Sequence, residues 1–171
     1  MTLWLPTDGF APSGEQLMTW YRALPPSAAP AKRKTLDETV VSTAALQDDD
    51  ELFIAADANT DYSLELLAFQ SSGVTPGFRI GFTLPAGATW YGGFFDGGTT
   101  TANRQFVYIS ASGTSGITGT GGFSICYVRA SISIGSTAGN VRFQWCQSTS
   151  NASNTTVAAG SEMILTKRGP W

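Results

Sequence analysis

From about residue 36 onward, apolar and polar positions alternate with a period of two. Phe78, Ile80, Phe82 and Leu84 share one face, with Arg79, Gly81 and Thr83 opposite. Cys126, Val128, Ala130, Ile132 and Ile134 do the same over a longer stretch, and Val141, Phe143 and Trp145 alternate with Arg142, Gln144 and Cys146. This period marks strands with one buried face. Strands are predicted at 37–43, 51–56, 61–70, 77–84, 89–95, 104–110, 123–134, 139–147 and 161–167. Between them lie turn-forming clusters such as DANTD, SSGVTPG, PAGA and GSTAG. The pattern predicts an all-β fold, an antiparallel β-sandwich (jelly-roll-like) of eight or nine strands.

The first 34 residues read differently. Ser13 and Gln16 make a capping-box pattern, and Leu17, Trp20, Tyr21 and Leu24 recur at helical spacing. A short helix is predicted over about 14–24, ended by Pro25 and Pro26, which remove backbone donors and restrict the residue before them. PPSAAPAKRK then reads as an extended linker with a solvated run Lys32, Arg33 and Lys34. The chain thus divides into an arm, 1–34, and a sandwich domain, 35–171. Trp4, Leu5, Phe10, Leu17, Trp20 and Tyr21 make the arm too apolar for a free tail, because each exposed ring forgoes about 2 kcal/mol of burial. Two readings fit: the arm folds back onto its own sheet, or it docks onto another subunit or another protein.

The sequence has 171 residues, enough for one domain with a core. Charged residues are only 13% and glycines number 19, so the surface is weakly defended against association. A net charge of −3 argues against nucleic-acid binding, which needs a basic face. No apolar run is long enough for a transmembrane helix, and the N-terminus has neither the charged nor the apolar region of a signal peptide, so membrane insertion and signal-peptide export are not expected. Cys126 and Cys146 are too few for a disulfide framework and read as buried thiols, although a cross-strand pair is geometrically open.

Candidate chemistry is sparse. The chain has no histidine, which removes the commonest general base and zinc ligand. Its carboxylates cluster in predicted turns, Asp48, Asp49, Asp50 and Glu51 consecutively, rather than facing one another as a glycosidase pair. No enzyme activity, cofactor or metal is expected. Asp57, Asn59 and Asp61 reproduce the first oxygen positions of a calcium loop, but Tyr62 and Ala68 break the pattern, and an Asx turn explains the same letters. The glycine-rich SGTSGITGTGG lacks the lysine and the helix of a phosphate cradle. Trp90 and Tyr91, with Trp145, are a candidate aromatic platform for a glycan, against core or intersubunit packing of the same rings. Asn151-Ala-Ser and Asn154-Thr-Thr match the glycan-acceptor pattern within a tract already rich in those residues.

Three phrases in order, ETVVSTAALQDDDELFIAADANTDYSLELLAFQ, GFRIGFTLPAGATW and GSTAGNVRFQWCQSTSNASNTTVAAGSEMILTKR, span 36–168. In them the chain resembles small virion structural proteins of tailed bacteriophages that infect actinobacteria. The resemblance implies a β-sandwich assembled into virion appendages, often as homotrimers, of minor tail, tail-fibre or head-decoration type. It implies no catalytic residue. On that expectation the partners are further copies of the chain and other virion proteins of tail or capsid, and the location is the virion, assembled in the bacterial cytoplasm. A carbohydrate-binding module for the host surface is the competing class. The polar tract after Trp145, with Gln144, Gln147, Ser148, Thr149, Asn151 and Asn154, then has two readings: a connection within one subunit, or hydrogen-bonding groups facing symmetry mates without the desolvation cost of charge.

Overall fold

The computed structural model describes residues 29–96, 106–109, 115–117 and 121–168. Twelve strands lie within them: β1 (Ala31–Arg33), β2 (Glu38–Val40), β3 (Gln47–Ala56), β4 (Asp61–Ser72), β5 (Phe78–Thr83) and β6 (Thr89–Asp96), then β7 (Phe106–Ile109), β8 (Ser115–Ile117), β9 (Gly122–Ser133), β10 (Gly139–Cys146), β11 (Thr155–Val157) and β12 (Glu162–Lys167). They form two antiparallel sheets. The larger runs β1-β12-β4-β9-β6-β7, with β11 beside the far end of β4 and β2 outside β11; the smaller runs β3-β10-β5-β8.

Alternation decides what each sheet buries. Tyr62, Leu64, Leu66 and Ala68 of β4 and Cys126, Val128, Ala130 and Ile132 of β9 point inward from the larger sheet. Leu52, Ile54, Phe78, Ile80, Val141, Phe143 and Trp145 meet them from the smaller one, and both sets belong to one core. One aromatic pair links the layers, Phe82 of β5 lying 4.8 Å from Trp90 of β6, and two more brace β5 against β10 within the smaller sheet, Phe82 with Phe143 at 5.6 Å and Phe78 with Trp145 at 6.1 Å, centroid to centroid. Burying each such ring stabilises the fold by about 1.5–3 kcal/mol.

One glycine sets a close approach inside the larger sheet. Gly92 of β6 stands opposite Ala130 of β9. A Cβ at that position would lie 2.4 Å from the Ala130 Cβ and 2.7 Å from the Arg129 carbonyl oxygen, so one strand must move. Gly92→Ala is expected to destabilise the chain by about 1–3 kcal/mol in urea unfolding. An unchanged midpoint would mean that β6 and β9 part freely.

The structure departs from the sequence pattern at four places. The acidic run read as a turn is strand: β3 begins at Gln47 and carries it. Residues 31–33, read as linker, pair with β12, and the Pro30 carbonyl accepts from Leu165 N–H at 3.0 Å. The described body therefore begins before the boundary drawn at residue 34. Two short strands, β8 and β11, lie in stretches read as loop, where three residues with few apolar side chains carry no periodic signal. The helix expected over 14–24 lies outside the described residues.

Candidate functional site

The acidic run becomes a bulge in β3. Arg142 pairs with Phe53 and Gln144 with Asp48, leaving Asp49 to Leu52 opposite Phe143 alone. Such an excess re-aims side chains locally. Asp49 turns fully inward, where its Oδ1 accepts from the backbone N–H groups of Glu51 (3.0 Å) and Leu52 (2.9 Å), and its Oδ2 from Trp145 Nε1 (3.2 Å). Lys34 Nζ sits 3.1 Å from Oδ1 and 3.0 Å from Oδ2. It also donates to Glu38 Oε2 at 2.6 Å. The Lys34 and Asp49 side chains are 1% and 0% exposed, so this pair has left water completely. Burial works against the Lys34 charge, but the hydrogen bonds and charges of Glu38 and Asp49 outweigh it and hold its pKa above the ordinary lysine value.

Glu51, next along, faces outward. The Thr35 hydroxyl and backbone N–H groups of Thr35 and Leu36 donate to it and hold its carboxyl below the ordinary range. A depressed carboxyl pKa contributes stability above the ordinary carboxylate range, and that contribution fades as pH falls through the lowered value. The segment after β1 is thus fastened to β3 twice, once inside and once outside. Reading Lys34 as part of a solvated charge run is corrected here: the turn at Gly160, whose N–H donates to the Lys34 carbonyl at 2.8 Å, and the bulge at Asp49 carry the ammonium into the interior.

The second feature is the outer face of the larger sheet. Odd-numbered residues of β4, β6 and β9 point away from the core, and many are apolar. Leu67, Tyr127 and Phe95 make one cross-strand row and Phe69 and Ile125 the next, with Phe123 beyond and Tyr91 towards the other end. Opposed side chains in such rows touch. Tyr91 is 70% exposed, Phe123 67%, Ile125 43% and Phe95 41%. In the middle, Arg129 and Glu65 face each other loosely at 3.8 Å. A patch of this kind is uncommon on a chain that acts alone. Its sequence signal was legible but missed: FSICYV in β9, LLAF in β4 and GFF in β6 are apolar on both faces, as in strands covered on both sides.

The residues proposed as a glycan platform are separated by the fold. Trp145 is fully buried and spends its N–H on Asp49, and Trp90 is buried against Phe82. Both face the core, so neither ring can stack on a sugar, and of the three only Tyr91 reaches solvent. The arm residues Trp4, Leu5, Phe10, Leu17, Trp20 and Tyr21 lie outside the described residues.

The polar tract is organised within the chain by the buried Gln147. Its Nε2 donates to the Ser153 carbonyl at 2.7 Å, and its Oε1 accepts from Asn151 N–H at 2.9 Å and Thr43 N–H at 3.3 Å. Ser42 N–H donates to the Asn151 carbonyl and Thr149 N–H to the Pro76 carbonyl. Gln147 therefore has its partners inside the subunit. Asp57 to Asp61 form the tight turn between β3 and β4, with Asn59 in the left-handed region at φ 53° and Asp57 3.4 Å from Lys167. Among the described residues no group of three or more His, Cys, Asp or Glu is arranged to hold a metal ion. Cys126 and Cys146 are buried in different sheets and are not joined in a disulfide.

No family model, no curated protein and no solved structure matches this chain.

Proposed function

We propose that the protein is a non-enzymatic structural component of a bacteriophage virion: a jelly-roll homo-oligomer whose subunits meet through the outer face of the larger sheet. That exposed apolar face carries the reading. Leu67, Phe69, Phe95, Phe123, Ile125 and Tyr127 supply the apolar centre that an interface between copies requires. Glu65 and Arg129 bring one charge of each sign, so a second copy meets no net charge there.

The jelly-roll assignment rests on strand order. An eight-stranded jelly roll places its first, eighth, third and sixth strands in one sheet and its second, seventh, fourth and fifth in the other. β1-β12-β4-β9 and β3-β10-β5-β8 follow that order, and β6 with β7 then becomes a hairpin inserted between the fourth and fifth strands. Viral capsid domains share this architecture, and the analogy is one of fold alone. The sequence resemblance adds the virion and the trimer, and docking through the N-terminal arm rests on the apolar residues of that arm, which lies outside the resemblance.

Within that reading a minor tail or tail-tip component is favoured, and a capsid decoration protein is the alternative. Quantitative peptide counting on purified particles of the encoding phage separates them: a few copies per particle mean tail, hundreds mean capsid. Absence from the particles overturns the proposal. A glycan-binding module keeps only Tyr91 among its three named rings and is correspondingly weakened.

A further inference from the structure

Buried Lys34 and Asp49, with the part-buried Glu38 beside them, have the composition and placement of a reaction centre rather than of an ordinary ion pair. Lys34 Nζ is nearly equidistant from both Asp49 oxygens, at 3.1 and 3.0 Å, and so faces the carboxyl group as a whole. Two backbone N–H groups converge on Oδ1, the arrangement that stabilises an oxyanion on a carbonyl carbon under attack. Glu38 Oε2, 2.6 Å from the same nitrogen, is placed to carry a proton. Water, which would favour separated ions and hydrolysis, is excluded from Lys34 and Asp49, whereas Glu38 is 16% exposed and opens towards solvent.

We propose that the folded chain joins Lys34 to Asp49 by an intramolecular amide bond, with Glu38 moving the protons. Glu38 takes a proton from the Lys34 ammonium and passes it to Asp49 Oδ2. The freed nitrogen lone pair attacks Asp49 Cγ, and the negative charge that develops on Oδ1 is held by the N–H groups of Glu51 and Leu52. A second proton leaves the nitrogen through Glu38 to the same Oδ2, whose bond to Cγ then breaks. One N–C bond forms, one C–O bond breaks, and one water departs; nothing is oxidised or reduced. Ammonium and carboxylate dominate before reaction, but the bond forms once per molecule and is then sheltered from hydrolysis. The neutral pair has only to be visited.

The bond ties the two sheets together where tying matters. β1 belongs to the larger sheet and holds it by three residue pairs with β12, whereas Asp49 lies in β3 of the smaller. The chain before β1 leads directly to the N-terminal segment. A pull on that segment would otherwise peel β1 from the sheet edge; with Lys34 bonded to Asp49 the load passes into β3.

Intact mass of the full-length protein under denaturing conditions tests this. The expected mass is one water below that calculated from the sequence, with or without Met1. Trypsin should leave a peptide running from Lys34 to Arg79, uncut at Lys34 and one water light. A Glu-specific protease, cutting after Glu38, Glu51 and Glu65, should then leave segments 34–38 and 39–51 joined to each other. Dehydration at Asp96-Gly97 would instead lighten a different tryptic peptide, and such a result overturns the proposal. So does a wild-type protein at full sequence mass. Glu38→Gln is expected at full mass, and Asp49→Asn at one ammonia below its own sequence mass. If Glu38→Gln still loses water from the Lys34 peptide, the proton-carrying role of Glu38 is overturned. Should that variant not fold, the wild-type mass and the doubly digested peptide decide the bond by themselves.

Discussion

Lys34→Met is expected to destabilise the folded chain by about 3–5 kcal/mol, because it leaves Asp49 as a buried charge without its cation and also removes the amide bond proposed between the two residues. The size follows from what stays behind. Asp49 remains fully buried between Trp145 Nε1 and two backbone N–H groups, and Glu38 loses its shortest contact. Methionine matches the stem of lysine in length, so the loss does not come from a cavity. Adding Asp49→Asn should recover part of it, because the amide removes the stranded charge and keeps an oxygen for the Glu51 and Leu52 N–H groups. Urea midpoints of the wild type, the single and the double variant make the check; a single-variant loss below about 1 kcal/mol would contradict the description of this site. The same logic concerns truncation. A chain starting after residue 34 loses β1 and Lys34, whereas one starting at residue 29 keeps both, and the shorter of the two should be markedly less stable.

Ile125→Glu should dissociate the proposed homo-oligomer while leaving the subunit folded. Ile125 is 43% exposed in the single chain, so a carboxylate there stays hydrated in the free subunit, and urea unfolding should shift by less than about 1 kcal/mol. In an interface centred on Ile125, Phe69 and Tyr127 the same charge is buried without a partner. The cost there is about 3 kcal/mol or more, over a hundredfold in Kd. Light scattering with circular dichroism reads both effects. Loss of assembly together with loss of fold would place Ile125 in the core instead.

The fold was legible where alternation ran long. Phe78, Ile80 and Phe82 of β5, and Cys126 through Ile132 of β9, point inward as their spacing required. β1, β8 and β11 were not legible, because three residues cannot show a period and their pairing is decided by neighbours distant in sequence. The Lys34 site was hidden for a related reason. KRK beside prolines and DDDE between strands both look like solvated charge, and only the bulge in β3 and the turn at Gly160 turn one residue of each run inward to meet. Trp145 misled in the opposite direction. As a ring on an alternating strand it suited a platform, yet its N–H completes the Asp49 shell. The outer face is legible in FSICYV, where Phe123, Ile125 and Tyr127 add apolar groups on the face opposite Cys126 and Val128.

The outer face of the larger sheet is proposed to join copies of this chain. Light scattering on the full-length wild-type protein, across a hundredfold range of concentration, tests it most directly. The expected result is the mass of three chains, held throughout the range and lost in Ile125→Glu. A wild-type protein with the mass of a single chain at every concentration would contradict it.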